Sequence, residues 1–549
     1  MPTLNFKGKS FVQNHHLAVK YHQLVPKKDK SLTDKVSLHD NLIVQGDNLN
    51  ALKALLPTYA GKVKCIYIDP PYNTGNEGWV YNDKVNSPMM REWLGKVIDK
   101  DDLTRHDKWL CMMMPRLKLL RELLAEDGVI FISIDYREAH NLKILLDEVF
   151  NENNLIAEFI WHKKYGGGGD NKNIVTEHET VFSYSKSKNP ELEQVINAIE
   201  YDFNDFAGYE IDEDGKYYSA NESILMRGPN STPDKRPNLC YPIITPDGNE
   251  IIPRYGKGTW AYGKETLNTK IKNNELIWKK VKDEWMLYKK QFLYNDTDEV
   301  RAKKPRSILD KRYSIGQTGE GTNILKEIFN GERLFQNPKP ISLIKFLLNL
   351  ATNTNENSII LDSFAGSGTT AHAVLDLNKE DGGNRKFILV EMEDYANTIT
   401  AERVRRVING VPTSKNFKEG TGGTFSYFEL GEPIEMESIL RGENLPSFEE
   451  FAKYLFYTAT GEEFDPSQIN KATNYIGTSK NYEVYLFYKA DIEYLKSTAL
   501  TLDRAKSLGK HNKKKRLVFA PAKFVDNHTL TDLRIEFSQL PFEIYKLKS

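Results

Sequence analysis

One apolar run constrains the fold of this chain more than any other feature. Residues Val63 to Ile68 form a β-branched, apolar stretch that ends abruptly in the loop Asp69-Pro70-Pro71-Tyr72. Such a run is typical of a strand buried in a parallel sheet. Each proline fixes its own φ and lacks an N–H, so the loop is rigid. Because open α/β sheets bind ligands at the carboxyl ends of their strands, the run predicts a rigid loop at a ligand-binding edge.

Strands and helices alternate in two separate blocks of the sequence. A strand over 41–45 precedes leucines at helical spacing, which begin at Leu49 and are stopped by Pro57 and Gly61. A second helix begins near Leu110, is kinked at Pro115 and is ended by Gly128. Further strands are predicted over 129–134, 155–161, 180–184, 359–362 and 387–390, and further helices over 142–149, 341–350 and 371–377. The two blocks together predict one doubly wound sheet.

The segment between the blocks has short polar and aromatic stretches and many turn signals. We therefore predict a Rossmann-like doubly wound, mostly parallel α/β sheet with an inserted α+β domain and a small C-terminal α+β domain. The predicted parts are an N-terminal arm over 1–40, a first block over 41–190, an insert over 191–330, a second block over 331–430 and a C-terminal domain over 431–549.

Composition narrows the partners and the compartment. The 75 Lys and Arg against 76 Asp and Glu give a net charge of −1, so a nucleic-acid surface must be a local patch. The three cysteines are widely separated, which predicts neither disulfides nor a metal site. The chain shows no signal-peptide or membrane-spanning run, so we expect a cytoplasmic protein with no membrane partner.

A glycine turn lies between a strand and a helix of the second block. Gly366-Ser367-Gly368 offers backbone N–H groups and close approach to a nucleotide-like ligand. With Glu391 it also fits an NAD-binding pattern. A P-loop is less suitable, because no lysine is present for the phosphates. The stretch His178 to Phe182 fails the metalloprotease pattern, and there is no deaminase motif.

Together these motifs resemble the amino-methyltransferases that methylate exocyclic amines in DNA with S-adenosylmethionine. The order, with Asp69-Pro70-Pro71-Tyr72 first and Phe364-Ala365-Gly366-Ser367-Gly368 later, is similar to the permuted β class. Gly46-Asp47-Asn48-Leu49, the stretch from Phe335 to Pro340 and the stretch from Arg385 to Glu391 resemble modification subunits of Type III restriction-modification systems. The resemblance covers roughly 40–190 and 320–430, and the insert occupies the place of a target-recognition domain.

The resemblance implies roles for individual residues. The catalytic residues would be Asp69, Pro70, Pro71 and Tyr72, with Asp69 and the Pro70 carbonyl holding the amine and Tyr72 stacking on an extruded base. The cofactor residues would be Asp47 at the adenine, Phe364, Gly366 and Gly368 at the methionine end, Glu391 at the ribose, and Asp362. For Asp47 and Asp362 a turn or cap carboxylate is the alternative, and for Glu391 it is a strand-terminal charge.

An aspartate in the first motif position implies, within the family, methylation of adenine N6. Cytosine N4 methylation, a non-catalytic DNA-specificity or scaffold subunit and a NAD-dependent oxidoreductase remain alternatives. The implied partners are double-stranded DNA, a helicase and nuclease restriction subunit, and a second copy of the chain. In the insert, Lys and Arg interleaved with aromatics favour duplex binding, and the acidic stretch 202–214 argues against it.

Overall fold

The computed structural model describes residues 3–74, 105–166, 174–187, 196–200, 210–253, 258–294, 302–354, 356–434, 445–462, 464–508 and 514–540. The chain divides into two compact units. The first comprises Met1–Asn197 and Arg306–Ser549, and the second is Ala198–Pro305. The second unit is shorter than the predicted insert over 191–330, because residues after 305 add a strand and a helix to the first unit.

A ten-stranded sheet organises the first unit. Its strands, numbered along the chain, are β1 His22–Pro26, β2 Leu42–Gln45, β3 Val63–Ile68, β4 Leu124–Ile134, β5 Leu155–His162, β6 His178–Ser185, β7 Ile308–Leu309, β8 Ile359–Asp362, β9 Lys386–Glu391 and β10 Ser426–Pro433. Their spatial order is β1-β10-β2-β9-β8-β3-β4-β6-β5-β7.

The centre of this sheet is parallel. Strands β10, β2, β9, β8, β3 and β4 all run in the same direction. Strand β6 is antiparallel to both β4 and β5, and β1 is antiparallel to β10. The two sequence blocks meet where β8 pairs with β3, with Leu361 opposite Ile66. The prediction of one doubly wound, mostly parallel sheet built from both blocks is confirmed.

Helices cover the two faces of the sheet. The named helices are α1 Asn48–Tyr59, α2 Arg105–Leu123, α3 Ala139–Phe150, α4 Thr318–Ile328, α5 Ile341–Ala351, α6 Thr369–Asp381 and α7 Glu402–Asn409. Helices α1 to α3 share a core with alternate strand residues such as Ile66, Ile68 and Ile130. Helices α5 and α6 pack on each other and contact the sheet through β3, β4 and β9. Since successive strand residues point to opposite faces, this is the doubly wound arrangement.

Two predicted helix ends are wrong. Helix α1 continues through Pro57 to Tyr59, because the buried Leu55, Leu56 and Tyr59 fix its last turn in the core. Helix α2 ends at Leu123 rather than at Gly128, and β4 begins directly afterwards, with Leu124 opposite Val63. Gly128 lies inside β4, where a Cβ would come within 2.8 Å of the Leu124 side chain, so this glycine permits a close approach within a strand.

The second unit is α+β. Its four-stranded antiparallel sheet contains Glu210–Ile211, Tyr217–Ser223, Leu276–Val281 and Glu284–Phe292. Helix Lys264–Lys272 contributes Leu267 to a small core with Ile224 and Trp260. Part of the predicted basic and aromatic clusters, over 254–257 and at 301, lies outside the described residues, as do 202–209 of the acidic stretch and glycines 167–169.

The two ends of the chain also have regular structure. Strand β1 brings the N-terminal arm to the edge of the main sheet. Near the C-terminus, strands β11 Tyr475–Thr478, β12 Tyr482–Leu486, β13 Lys515–Ala520 and β14 Ile535–Gln539 form a separate sheet in that order. Within the described ranges, no helix combines the length and the apolar character needed to cross a membrane.

Candidate active site

The adjacent strands β3 and β8 end at one cavity. Asp69 follows β3, Asp362 is the last residue of β8, and both line a cavity of about 480 Å³. The cavity contains both motifs that the sequence separates. Its other described lining residues include Pro70, Pro71, Tyr72, Trp161, Lys163, Glu179, Phe335, Asn337, Lys339, Ala365, Gly366, Ser367, Thr369 and Thr370.

The loop after β3, which we call the catalytic loop (Asp69 to Tyr72), is held from behind. Trp109 Nε1 of α2 donates a hydrogen bond of 2.7 Å to the Pro71 carbonyl. Asn73 adopts a left-handed φ of 54° and donates through Nδ2 to the buried Glu138. Within the described chain, the Pro70 carbonyl has no hydrogen-bond donor. The loop is therefore fixed by groups outside the cavity and keeps one main-chain acceptor unused.

Asp69 divides its two oxygens between a partner and the cavity. Oδ2 lies 2.6 Å from Lys339 Nζ. Oδ1 is buried and has no hydrogen-bond partner among the described residues. Burial raises the pKa of Asp69; Lys339 opposes this effect and the nearby Glu179 reinforces it. Asp69 thus offers a desolvated, unoccupied acceptor.

Tyr72 is bound through its hydroxyl. The hydroxyl donates to Glu179 Oε2 at 3.0 Å and accepts from Lys339 Nζ at 2.8 Å. Lys163 Nζ lies 3.0 Å from the other Glu179 oxygen. Burial works against ionisation of Glu179, but Lys339 and Lys163 more than offset it and lower its pKa. Two carboxylates and two ammonium groups therefore balance one another beside the ring.

The turn after β8, which we call the glycine turn (Phe364 to Gly368), needs its glycines for backbone conformation. Gly366 and Gly368 have φ values of 52° and 78°. The Gly366 N–H donates to Glu391 Oε2 at 2.7 Å, while Glu391 Oε1 accepts from Met392 and Glu393 N–H groups. Asp362 accepts from the Phe364 N–H at 3.0 Å and from Thr370 Oγ1. Both carboxylates thus shape the turn.

These two carboxylates have unusual ionisation. Burial raises the pKa of Asp362 to about 7, against the opposing hydrogen bonds from Thr370 and Phe364. Burial likewise raises the pKa of Glu391 to about 7, although three N–H groups favour its charged form. Both groups consequently change charge near neutral pH.

Buried polar groups from the following helix support the glycine turn. Thr400 Oγ1 donates to the Gly366 carbonyl at 2.5 Å. Arg403 of α7 is fully buried and donates to the Ser367 carbonyl, Ser367 Oγ and Thr369 Oγ1 at 3.3, 2.9 and 2.8 Å. Burial lowers the pKa of Arg403 to about 9. The turn is therefore a preformed shape.

The structure brings most of the predicted site residues together. Asp69, Pro70, Pro71, Tyr72, Asp362 and Gly366 line the cavity. Asp47, Phe364, Gly368 and Glu391 are not among its described lining residues. Asp47 caps α1 by accepting from the Asn50 N–H and contacts Arg116 at 3.3 Å, whereas Phe364 packs in the core. The role predicted for Asp47 at the cofactor stays a prediction.

Sequence reasoning missed Lys339, Glu179, Lys163 and Trp161. Lys339 lies between Pro338 and Pro340, and this bracketing of a cation by two rigid residues just before a helix is a signal that could have identified it. Glu179 lies at the start of β6, and only the antiparallel direction of that strand brings it to this edge.

Comparisons with known proteins follow the geometry. Residues 63–402 match the family model described as DNA methylase, N6_N4_Mtase. The Type III restriction-modification enzyme EcoPI Mod subunit of Escherichia phage P1 is 34% identical over 72% of this chain and 64% of its own length. The StyLTI Mod subunit of Salmonella typhimurium is 31% identical over 71% of this chain and 58% of its length. The chain thus spans less than two thirds of these relatives.

A shorter relative is covered more completely. The Type II methyltransferase M.KpnI of Klebsiella pneumoniae is 33% identical over 63% of this chain and 79% of its own length. Among solved structures, a DNA modification methylase of Thermus thermophilus, described in its title as putative, shows a TM-score of 0.31 and 14% identity, covering 71% of this chain and all of that one. The fold assignment rests on the strand order of the chain itself. By the family model and these sequence relatives, the chain belongs to the DNA methylase family.

Proposed function

We propose that this protein transfers a methyl group from S-adenosylmethionine to the N6 amine of adenine at specific sites in double-stranded DNA. The observation that carries the proposal is the buried, unpartnered Asp69 Oδ1 in the cavity that the catalytic loop shares with the glycine turn. Such an acceptor is suited to the N–H of a base amine that has left the duplex.

The chain's own residues fit the proposed cofactor. The cavity volume of about 480 Å³ is within the usual range for small-molecule sites. Asp362 supplies a buried carboxyl for a cationic group, and Ala365, Gly366 and Ser367 form a wall of small residues. Each Glu391 oxygen has two lone pairs, so Oε2 can accept a ribose hydroxyl besides the Gly366 N–H. When bound, S-adenosylmethionine supplies an electrophilic methyl group on a positively charged sulfur.

The catalytic loop would prepare the amine for attack. The adenine N6 lone pair is delocalised into the ring, and it becomes available when both N–H groups are drawn out of the ring plane. Asp69 Oδ1 would accept one N–H and the Pro70 carbonyl the other. The Tyr72 ring would stack on the base, a contact of about 1–3 kcal/mol that offsets part of the cost of flipping. Orientation and charge placement are thus the protein's contribution.

The base and the partners belong to the same proposal. The aspartate at position 69 favours adenine N6, as the family resemblance implies, and cytosine N4 is the competing product. The relatives' printed names contain "Mod subunit" of Type III enzymes, which supports a restriction-modification role with a restriction subunit as partner. A homodimer and a cytoplasmic location complete the proposal. The Lys- and Arg-containing second unit is the proposed reader of the duplex.

One experiment tests the function directly. DNA from cells expressing the chain is sequenced for modified bases, and the purified protein is incubated with unmethylated DNA and cofactor carrying a labelled methyl group. We expect label in DNA and N6-methyladenine within one sequence motif. N4-methylcytosine would replace the base assignment. Absence of transfer from a folded protein that binds DNA would instead favour a specificity or scaffold subunit.

A further inference from the structure

Lys339 occupies a central position in the cavity wall. Its Nζ is 2.6 Å from Asp69 Oδ2, 2.8 Å from the Tyr72 hydroxyl and 3.5 Å from Glu179 Oε2. The same Nζ is 5.0 Å from the centre of the Tyr72 ring. The short distance to the hydroxyl and the long distance to the ring centre place the ammonium beyond the hydroxyl rather than above the ring. Lys339 therefore contacts both base-handling residues without covering the ring face or Asp69 Oδ1.

The hydrogen-bond directions in this cluster are determined. The Tyr72 hydroxyl has one hydrogen and donates it to Glu179, so it accepts from Lys339. The other Glu179 oxygen accepts from Lys163. The ammonium has no lone pair, so it can only donate to Asp69 Oδ2. One side chain thus fixes the rotation of Asp69 and the position of the Tyr72 hydroxyl.

The backbone of Lys339 is held as firmly as its side chain. Pro338 and Pro340 flank it. Gly321 of α4 lies directly against this segment, and a Cβ there would lie 2.2 Å from the Pro338 carbonyl oxygen and 2.8 Å from the Lys339 carbonyl oxygen. In contrast, a Cβ on Gly319 of the same helix would meet nothing within 4 Å. The helix therefore sets the position from which Lys339 reaches Asp69.

We propose that Lys339 is a positioning residue that holds Asp69 ionised and turned so that Oδ1 faces the amine, and that fixes Tyr72 for stacking. The inference rests on the proposed function and assigns a role to a residue outside both motifs. Without Lys339, Asp69 would be a buried carboxyl that faces Glu179 with no cation beside it. Such a carboxyl takes up a proton at neutral pH and loses its strength as an acceptor.

The groups that face this pair come from several elements, and all of them enter the pH argument. They are Tyr67 of β3, Tyr72 of the catalytic loop, Lys163 after β5, Glu179 of β6 and Asp362 of β8. Burial alone would lower the pKa of Lys339, but Asp69 and Glu179 more than offset this and raise it. The ammonium therefore stays charged over the working pH range.

The test measures the pH dependence of methyl transfer to DNA in the full-length protein. For Lys339→Met we expect kcat at pH 7 to fall at least about tenfold and the deficit to shrink as pH rises, because each pH unit below the pKa of Asp69 lowers its ionised fraction about tenfold. The KM for cofactor should stay within about twofold. Lys339→Arg, which keeps the charge, should restore the wild-type pH profile. The matched control is Lys64→Met, which removes an equal 2.6 Å ion pair, with Asp127, outside the cavity.

Two further measurements separate position and folding from activity. Gly321→Ala should lower kcat in the same direction as Lys339→Met, whereas Gly319→Ala should not. In thermal unfolding above pH 7, Lys339→Met should lower the melting temperature of the wild type but not of Asp69→Asn, since its effect acts through Asp69.

The possible outcomes distinguish this inference from the proposed function. A Lys339→Met enzyme whose profile parallels the wild type would overturn the inference while leaving the function intact. Equal melting-temperature losses in both backgrounds would also overturn it, and this holds even if the wild type transfers no methyl group and the proposed function itself fails.

Discussion

The catalytic loop and the glycine turn lie at the same edge of one sheet but are stabilised in opposite ways. The catalytic loop is fixed by prolines and by charged side chains, and it leaves Asp69 Oδ1 and the Pro70 carbonyl unpaired within the described chain. In the glycine turn, Asp362 and Glu391 are already engaged by N–H and hydroxyl groups.

This difference indicates a division of labour. Unpaired acceptors in a desolvated wall favour a reacting group, whereas satisfied polar groups maintain a shape. Changes in the catalytic loop should therefore reduce turnover and leave cofactor binding intact, and changes in the glycine turn should reduce binding first.

The largest expected effect is from Asp69→Ala. Removing the acceptor should lower methyl transfer by about 10²- to 10³-fold or more, as the loss of a group that acts in the transition state does. Cofactor binding, measured by calorimetry, should be nearly unchanged. Asp127→Asn is the control, because Asp127 makes an ion pair of the same 2.6 Å length with Lys64 outside the cavity. Loss of cofactor binding in Asp69→Ala would erase the distinction between the two loops.

The adjacency of the two loops could be predicted from the sequence, because Asp69 and Asp362 both end apolar runs and parallel strands end at one edge. Two kinds of residue could not. Glu179 begins a strand, and its direction depends on pairing with β4 and β5. Lys339 is 270 positions from Asp69, and its contact exists only after α4 and α5 have packed. Side-chain partnership also explains why Asp47, placed at the cofactor from its motif, caps a helix here.

A second prediction concerns the glycine turn. Glu391→Ala removes the acceptor for three N–H groups, those of Gly366, Met392 and Glu393. Buried unsatisfied donors cost about 1–3 kcal/mol each, so cofactor affinity should fall by about two orders of magnitude. Calorimetry measures this, and Glu391→Gln, which keeps one acceptor oxygen, should lose less. An unchanged affinity in a variant with wild-type circular dichroism would contradict the shaping role.

A smaller effect is expected from Gly368→Ala. Gly368 has a φ of 78°, and an added Cβ would lie 3.1 Å from the Thr400 carbonyl oxygen. Left-handed backbone costs other residues about 1–2 kcal/mol, so cofactor affinity should fall about tenfold. Gly382→Ala is the matched control, since its φ of 71° imposes similar strain at the far end of α6 with nothing within 4 Å of the new Cβ. Equal affinities of the two variants for cofactor would show that backbone shape at the turn does not matter for binding.

The smallest expected effect is a pH dependence that belongs to the glycine turn alone. Asp362 and Glu391 have pKa values raised to about 7, so the folded, ligand-free chain holds their protons more tightly than the unfolded chain. Their contribution to stability is therefore fully present below about pH 4 and is lost as the pH rises through about 7. A cationic ligand reverses this preference, because it favours the ionised form of Asp362, the one of the two that lines the cavity. Affinity for S-adenosylmethionine should accordingly rise about fivefold from pH 6 to pH 8, while affinity for the uncharged S-adenosylhomocysteine should rise less. Titration calorimetry of both ligands checks this, Asp362→Asn should remove the difference, and identical pH responses of the two ligands would reject a charge role for Asp362.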